Sequence, residues 1–226
     1  MEVWPVGYRI EPRALGPSSE MIKAFGGASV SIVADCMVRD SGAVGLSAYH
    51  GKTPSLMCGP ALTVRVRPGD NLLIHKALSM AEPGDVIVID GGGATAPALI
   101  GGLMRSLAIG RRLAGFVVDG ALRDVQEWAE GGVAAFAKAH SYRRPTKDGP
   151  GEINAAITCA GMAVRPGDLV MGDGDGVIVI RPEEIPTLVP MIDARIEHES
   201  ESRKRNLKGQ GPGWVDDILR AKGLPI

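Results

Sequence analysis

The amino-acid sequence predicts an α/β domain in which central sheets are flanked by helices. Short aliphatic runs, typical of buried strands, alternate along the chain with segments of helical character. The chain contains 31 glycines and only 4% aromatic residues, so aliphatic side chains must pack the core between many tight turns. At 226 residues the chain is long enough for one large domain with a sizeable core.

Composition and charge exclude several classes of partner. The formal net charge is -1, and no basic block is dense enough to follow a phosphate backbone, so we expect no nucleic acid partner. No apolar run reaches the roughly 18 residues that a membrane helix needs, and the N-terminus lacks the regions of a signal peptide. We therefore expect a cytoplasmic protein with no membrane partner. The scattered Cys36, Cys58 and Cys159 are expected to be buried spectators.

The tripeptide Pro-Gly-Asp occurs three times, beginning at Pro68, Pro83 and Pro166. Proline pre-sets the first turn position, glycine accepts a positive φ at the second, and aspartate can accept hydrogen bonds from turn amides. The second and third copies precede aliphatic, strand-like runs, whereas the first precedes a helix-like stretch at residues 71–81. Each copy therefore predicts a turn that begins a new element.

A strand-helix-strand unit follows the second copy. We predict a strand ending at Asp90, a glycine loop at residues 91–93, a helix from about Ala98 to Gly110, and a strand from Gly115 to Asp119. Both strands should be parallel and buried on both faces, because each is a continuous aliphatic run. Ligands bind such units beyond the carboxyl ends of the strands, which is where residues 119–124 fall.

The flanking segments are predicted to be mostly helical. Residues 18–37 indicate a helix capped by Ser18 or Ser19, and residues 56–66 indicate a half-buried strand. The tail at residues 183–208 is a charged helix with a thin apolar face, followed by a short extension at residues 209–219. Such a helix is expected to pack on a neighbouring subunit.

Arg123 and Asp124, just past the second buried strand, are the leading candidates for chemistry. Arginine presents a planar fork that grips a carboxylate, and aspartate is a hard oxygen ligand for Mg²⁺ or Mn²⁺. A local salt bridge, or an N-cap at Asp124 for a helix starting at Val125, is an open alternative.

The glycines upstream could bring backbone amides close to a ligand. The run at residues 91–93 and the pair Gly101-Gly102 remove side-chain obstruction, and a helix N-terminus favours anions. The spacing fits neither a dinucleotide fingerprint nor a P-loop, so phosphate cofactors are not indicated. A tight turn and close helix packing remain the alternative explanation.

Four segments together resemble the RraA-like family: PALTVRVRPGDN (60–71), AEPGDVIVIDGGG (81–93), GGLMRSLAIGRRLAGFVVDGALRDV (101–125) and RPGDLVMGDGDGVIVI (165–180). This family includes class II 4-hydroxy-4-methyl-2-oxoglutarate / 4-carboxy-4-hydroxy-2-oxoadipate aldolases and regulators of ribonuclease E activity. The resemblance implies a swivelling β/β/α domain at residues 18–182, between an N-terminal arm (1–17) and a C-terminal helix and extension (183–226). It also implies a homotrimer or homohexamer whose active sites are shared between subunits.

The resemblance implies specific roles at the candidate site. Asp124 would hold the divalent metal, Mg²⁺ or Mn²⁺, and Arg123 would bind the pyruvyl group of the substrate. The substrate-binding segment would comprise Gly101, Gly102, Leu103 and Met104, with the amides of Leu103 and Met104 holding the pyruvate carboxylate.

Two further positions follow from the same resemblance. A glutamate from the C-terminal helix of the adjoining chain would lie near the metal, and Glu199 is the best match, with Glu197 and Glu201 as alternatives. Many of the aldolases carry an acidic residue at the position of Gly102, where it supports the water shell of the metal. The absence of that side chain here puts the aldolase substrate and the metal affinity in question.

The expected function is a metal-dependent lyase that cleaves a 4-hydroxy-2-oxo acid to pyruvate through a metal-stabilised enolate, with oxaloacetate decarboxylation as a side activity. Two other functions stay open at this point. One is a non-catalytic regulator that binds ribonuclease E or another protein, and the other is a different metal-assisted activity on a small carboxylate.

Overall fold

The fold is that of a computed structural model, which describes residues 5–37, 42–52 and 55–226. The first residues of the expected N-terminal arm, 1–4, lie outside this part of the chain. The described strands are β1 (Tyr8–Ile10), β2 (Ser47–Ala48), β3 (Met57–Val66), β4 (Val86–Ile100), β5 (Gly115–Leu122), β6 (Ala134–His140), β7 (Gly151–Ile153), β8 (Ile157–Cys159), β9 (Met162–Val164), β10 (Leu169–Asp173) and β11 (Gly176–Ile180). The described helices are α1 (Ser19–Lys23), α2 (Val30–Cys36), α3 (Leu72–Met80), α4 (Gly102–Gly110), α5 (Val125–Ala129), α6 (Ile185–Asn206) and α7 (Trp214–Ala221).

The central sheet has the order β1-β7-β3-β4-β5-β6-β2, and the β10-β11 hairpin joins it through β3. Strands β3, β4, β5 and β6 are parallel to one another, which confirms the parallel pairing predicted for β4 and β5. Residues 86–89 of β4 are fully buried, because both faces of the sheet are covered. The expected α/β class with helices flanking central sheets is confirmed.

The core comprises three clusters of buried apolar side chains. Helices α3, α4 and α5 pack on one face of the sheet, and the small strands β8 to β11 pack on the other. A third cluster lies between the β10-β11 hairpin and the helices α2 and α6. Because β4 and β5 are parallel, their carboxyl ends meet at one edge of the sheet, directly beside the N-terminus of α4.

The predicted glycine loop and the predicted helix start at Ala98 are wrong. Strand β4 continues to Ile100, which pairs with Leu122 of β5, and register shifts accommodate the extra residues on β4. Two of the glycines, Gly92 and Gly93, have φ angles of 67° and 71°, which permits the irregular backbone. The helix begins only at Gly102, because the preceding residues stay paired with β5.

The Pro-Gly-Asp turns are confirmed. Their glycines have φ angles of 80°, 90° and 83°, and the aspartates of the second and third copies each accept a hydrogen bond from a turn amide. The predicted helix at residues 18–37 is instead two short helices, α1 and α2, separated by turn residues 24–27. Ser18 caps α1 as expected.

The two ends of the chain differ in how they contact the domain. Strand β1, within the expected arm, pairs with β7, and Arg13 forms an ion pair with the buried Asp85. Helix α6 buries Ile185, Leu188 and Ile192, all within its first half, and α7 buries no residue. No helix in the described ranges is long and apolar enough to cross a membrane.

A substitution in β3 tests the packing of the sheet against the second Pro-Gly-Asp turn. A Cβ atom built on Gly59 would lie 2.0 Å from the carbonyl oxygen of Gly84. Because both partners are backbone, we expect Gly59→Ala to lower the free energy of unfolding by about 1–3 kcal/mol. Equilibrium urea denaturation at a fixed protein concentration measures this, with Gly27→Ala as the control because no atom lies within 4 Å of its Cβ position. Equal midpoints for the two variants would contradict the expectation.

Candidate functional site

Arg123 and Asp124 lie between the end of β5 and the start of α5. The Arg123 amide donates to the carbonyl oxygen of Ile100 at 3.0 Å, which ties this turn to the end of β4. Trp128 is fully buried, and its Nε1 donates to the Arg123 carbonyl oxygen at 3.0 Å. The backbone on both sides of the Arg123 side chain is therefore fixed.

The Asp124 carboxylate faces the N-terminus of α4. Its Oδ2 accepts a hydrogen bond from the Gly102 amide at 2.8 Å and lies 3.5 Å from Arg123 Nε. Asp124 occupies the N-cap position of α5, but its side chain accepts no capping hydrogen bond there. Of the two local alternatives, the salt bridge with Arg123 is therefore present, whereas the side-chain cap of α5 is not. The carboxylate instead accepts a hydrogen bond at the N-terminus of α4.

Backbone strain at Asp124 accompanies this geometry. Its φ of 62° and ψ of 44° are left-handed, a conformation that costs a residue other than glycine about 1–3 kcal/mol. The conformation turns the carboxylate back toward α4 instead of along α5. Strain of this kind, held in place by surrounding structure, is concentrated at functional sites.

Gly101 is required by the close approach of the Arg123-Asp124 pair. A Cβ atom at this position would lie 2.6 Å from Asp124 Oδ2 and 3.0 Å from Arg123 Nε. The φ of Gly101 is -159°, which is extended backbone that any residue adopts. The glycine is needed because a side chain would not fit, and not because of its backbone conformation. The space beside Gly101 is therefore occupied by these two side chains, and the predicted approach of its backbone to a ligand stays a prediction.

The amides in the first turn of α4 differ in their availability. The Gly102 amide binds Asp124, and the Met104 amide donates to the Gly101 carbonyl oxygen at 3.0 Å. Within the described ranges the Leu103 amide has no hydrogen-bond acceptor. It is therefore free to donate to an anion at the positive end of the helix dipole.

A cavity of about 250 Å³ lies on one side of Arg123. It is rich in cationic groups, since Arg144 and Lys147 line it together with Arg123, and His75 lies at its wall. Burial and the charge of Lys147 lower the pKa of His75. Gly101, Leu103 and Met104 border the same space, so this cavity suits a small anion with more than one negative group.

The segment that carries Arg144 and Lys147 is held by Asp70, from the first Pro-Gly-Asp turn. Asp70 Oδ2 accepts hydrogen bonds from Thr146 Oγ1 and the Asp148 amide, both at 2.7 Å. Burial disfavours the ionised form of Asp70, but these hydrogen bonds outweigh it and lower the pKa of the carboxyl. An ionised, buried carboxylate thus positions the cationic segment over the cavity.

Asn71 contributes a buried acceptor to the same cavity. Its Nδ2 donates to the Leu99 carbonyl oxygen at 3.0 Å, and the residue is 5% exposed. Its Oδ1 is buried without a donor among the residues described. A buried carbonyl oxygen that lacks a donor is costly, so a hydroxyl-bearing ligand or a water molecule is the natural partner.

A second cavity, of about 310 Å³, lies on the other side of Arg123. Asp124 lines it, together with residues 140–142 at the end of β6. Arg123 is common to both cavities, and Asp124 faces only this one. The pair therefore places a cationic group and an anionic group side by side at the boundary between two ligand-sized spaces.

Glu199 lies elsewhere in the same chain. It forms ion pairs with Arg195 and Arg203 of its own helix, at 3.5 Å and 3.4 Å, and lines neither cavity around Arg123. The role expected of Glu199 involves a neighbouring subunit, so it remains a prediction, as does the choice among Glu197, Glu199 and Glu201.

Sequence reasoning missed several residues around the site. Arg144 and Lys147 were visible as a basic segment and Asn71 as the residue after a Pro-Gly-Asp turn, but nothing local connected them to Arg123. Glu127 was visible as the third residue after Asp124. Its carboxylate lies 2.1 Å from the position of a Cβ atom built on Gly102, and this contact depends on the packing of α5 against α4, which no sequence pattern specifies.

Comparison with known proteins gives a consistent picture. Residues 30–179 match the RraA-like family, described as Aldolase/RraA. A protein of Halalkalibacterium halodurans named "Putative 4-hydroxy-4-methyl-2-oxoglutarate aldolase" is 46% identical over 122 residues, which are 54% of this chain and 58% of that relative. The match therefore spans little more than half the length of this relative.

Two solved structures share the fold. The RNA-processing inhibitor RraA of Thermus thermophilis is 29% identical, with a TM-score of 0.62 over 68% of this chain and 92% of that one. RraAS2 of Streptomyces coelicolor, described as an unusual member of the RNase ES inhibitor RraA protein family, has a TM-score of 0.75 at 24% identity, over 84% of this chain and 98% of that one. At that identity the second likeness concerns the fold alone.

The space left by Gly101 provides a test of the site geometry. In Gly101→Ala the new methyl group contacts side-chain atoms of Arg123 and Asp124, which can move, so we expect stability to fall by no more than about 1 kcal/mol. The hydrogen bond from the Gly102 amide to Asp124 should nevertheless lengthen. The amide proton resonance of Gly102 reports this, and it should move upfield.

Gly110→Ala, at the other end of α4, is the matched control because nothing lies within 4 Å of its Cβ position. It should leave the Gly102 resonance in place. An unchanged Gly102 resonance in Gly101→Ala would show that the carboxylate is not held at the helix terminus.

Proposed function

The chain belongs to the RraA-like family, and we propose that it is a divalent-metal-dependent lyase that cleaves a 4-hydroxy-2-oxo acid and releases pyruvate. The observation that carries the proposal is the Arg123-Asp124 pair, fixed at the N-terminus of α4 between two cavities. The name of the 46% identical relative supports the choice of 4-hydroxy-4-methyl-2-oxoglutarate as the type of substrate.

The residues present fit Mg²⁺ or Mn²⁺ bound mainly through water and substrate. Among the described residues no group of three or more His, Cys, Asp or Glu side chains could hold a metal ion, so a cage made of protein ligands is not available. Magnesium commonly binds through one or two carboxylates and keeps several waters. The Asp124 side chain is 37% exposed and retains free carboxylate lone pairs, so it suits this mode.

The reacting part of the substrate would lie against Arg123 and the first turn of α4. The Leu103 amide donates to the carboxylate of the 2-oxo acid, and the Arg123 guanidinium adds positive charge beside the keto oxygen. A divalent cation, when bound, lowers the energy of the negative charge that develops on that oxygen. The Leu103 amide and the Arg123 guanidinium are in place before the substrate arrives, which reduces the cost of reorganisation during the reaction.

The reaction breaks the bond between C3 and C4 of the substrate. The C4 hydroxyl loses its proton to a base, C4 becomes a carbonyl carbon, and the electron pair of the broken bond moves to the pyruvyl fragment. Protonation at C3 then gives pyruvate, so 4-hydroxy-4-methyl-2-oxoglutarate yields two pyruvate molecules. Glu199 of a neighbouring subunit in a homo-oligomer is our candidate for the base.

The cationic cavity supports a substrate with a second carboxylate. Arg144 and Lys147 have no ion-pair partner among the described residues and border the cavity next to Arg123. They are available to bind the C5 carboxylate of a 2-oxoglutarate derivative. Oxaloacetate is also a dicarboxylate, and its decarboxylation generates the same pyruvyl anion without removal of a hydroxyl proton, so it is the expected side activity.

A regulatory function is the second candidate. The likeness to the RNA-processing inhibitor at 29% identity favours a protein that binds another enzyme. Such a role requires neither a metal nor Arg123. Formation of pyruvate separates the two functions directly.

An assay coupled to lactate dehydrogenase should detect pyruvate from 4-hydroxy-4-methyl-2-oxoglutarate and from oxaloacetate when Mg²⁺ or Mn²⁺ is present. Chelator should abolish the signal. Arg123→Ala and Asp124→Ala should each lower kcat/KM by about 10²–10³ or more, because each removes a charge placed at the reacting group.

Lys23→Ala, on the exposed surface of α1, controls for a general effect of losing a charged side chain and should retain full activity. Size-exclusion chromatography should show that all variants keep the oligomer. Absence of pyruvate from both substrates would exclude the lyase.

A further inference from the structure

The space beside Gly102 is filled by a carboxylate from a different helix. A Cβ atom built on Gly102 would lie 2.1 Å from Glu127 Oε2 and 2.7 Å from Oε1. Gly102 does not have a positive φ, so its backbone would accept any residue. The glycine therefore makes room for the Glu127 side chain.

Glu127 has no stabilising partner in the described chain. No hydrogen bond or ion pair involves its carboxylate there, whereas Glu130, one turn further along, forms an ion pair with Arg105 at 3.4 Å. Glu127 is exposed, so solvent and metal ions can reach it. Its position over the first turn of α4 is favourable for an anion because of the helix dipole.

Glu127 and Asp124 place two carboxylates around one short piece of backbone. Asp124 Oδ2 accepts from the Gly102 amide, and Glu127 lies against the α-carbon of the same residue. Two carboxylates beside one residue repel each other, and a divalent cation bound near both would attract each of them and offset that repulsion.

We propose that Glu127 supplies the second carboxylate of the divalent-cation site, in the space that a side chain at position 102 would otherwise occupy. The inference rests on the metal dependence in the proposed function. Glu127 acts as a positioning residue that holds the cation or its bound water next to Asp124. The missing acid at position 102 is thereby replaced from α5.

The test is Mn²⁺ binding without substrate, followed by the electron paramagnetic resonance signal of free Mn²⁺. Glu127→Ala and Glu127→Gln should each raise the Kd for Mn²⁺ by about 10- to 100-fold, the usual effect of losing a group that supports a metal ligand. Glu130→Gln, one turn further along the chain, is the matched control and should leave the Kd unchanged. Thermal melting without metal checks that each variant is folded.

A compensating double variant makes the test specific for position. Glu127→Ala combined with Gly102→Asp returns a carboxylate to the same space from α4, and it should recover most of the lost affinity. Gly102→Asp alone places two carboxylates where the structure holds one and should lower the melting temperature of the metal-free protein.

A Kd for Mn²⁺ that stays within about twofold in both Glu127 variants, or no Mn²⁺ binding by the unaltered protein, would overturn the inference. The pyruvate assay reports the proposed function separately. If Mn²⁺ binding depends on Glu127 but no pyruvate is released, the lyase function is rejected and the role of Glu127 in the cation site is retained. Pyruvate release with Glu127-independent binding would reject only the role of Glu127.

Discussion

The contact between one carboxylate and the first turn of one helix determines the rest of the candidate site. Asp124 Oδ2 lies 2.8 Å from the Gly102 amide nitrogen, and this requires a left-handed backbone at Asp124 and no side chain at Gly101. Both requirements limit which residues can occupy these positions. In return, a negative charge is held next to a guanidinium, at a place where the helix dipole favours anions.

The parallel sheet explains why these groups meet. Ile100 at the end of β4 pairs with Leu122 at the end of β5, so α4 begins beside the residues that follow β5. The glycine-rich irregularity in β4 absorbs the extra residues that make this register possible. Asp70 of the first turn then holds residues 146 and 148 by hydrogen bonds, and this fixes the cationic wall of the cavity.

Features set by local chemistry were predictable from the sequence. The Pro-Gly-Asp turns, the buried parallel strands and the pair Arg123-Asp124 all depend on neighbouring residues. The bulged continuation of β4 was not predictable, because pairing with β5 overrides the local preference of glycines for a loop. The positions of Glu127 and Arg144 depend on how α5 and the 143–148 segment pack. Glu199 depends on a second subunit, so its predicted role goes beyond the contacts of one chain.

The central claim is that Asp124 holds a divalent cation beside Arg123. Crystals grown with Mn²⁺ and pyruvate test this most directly, because the anomalous scattering of manganese identifies its position. We predict one strong peak within about 2.0–2.2 Å of an Asp124 carboxylate oxygen, with the pyruvate carboxylate next to the Leu103 amide. Manganese bound away from Asp124, or pyruvate bound there without manganese, would contradict the claim.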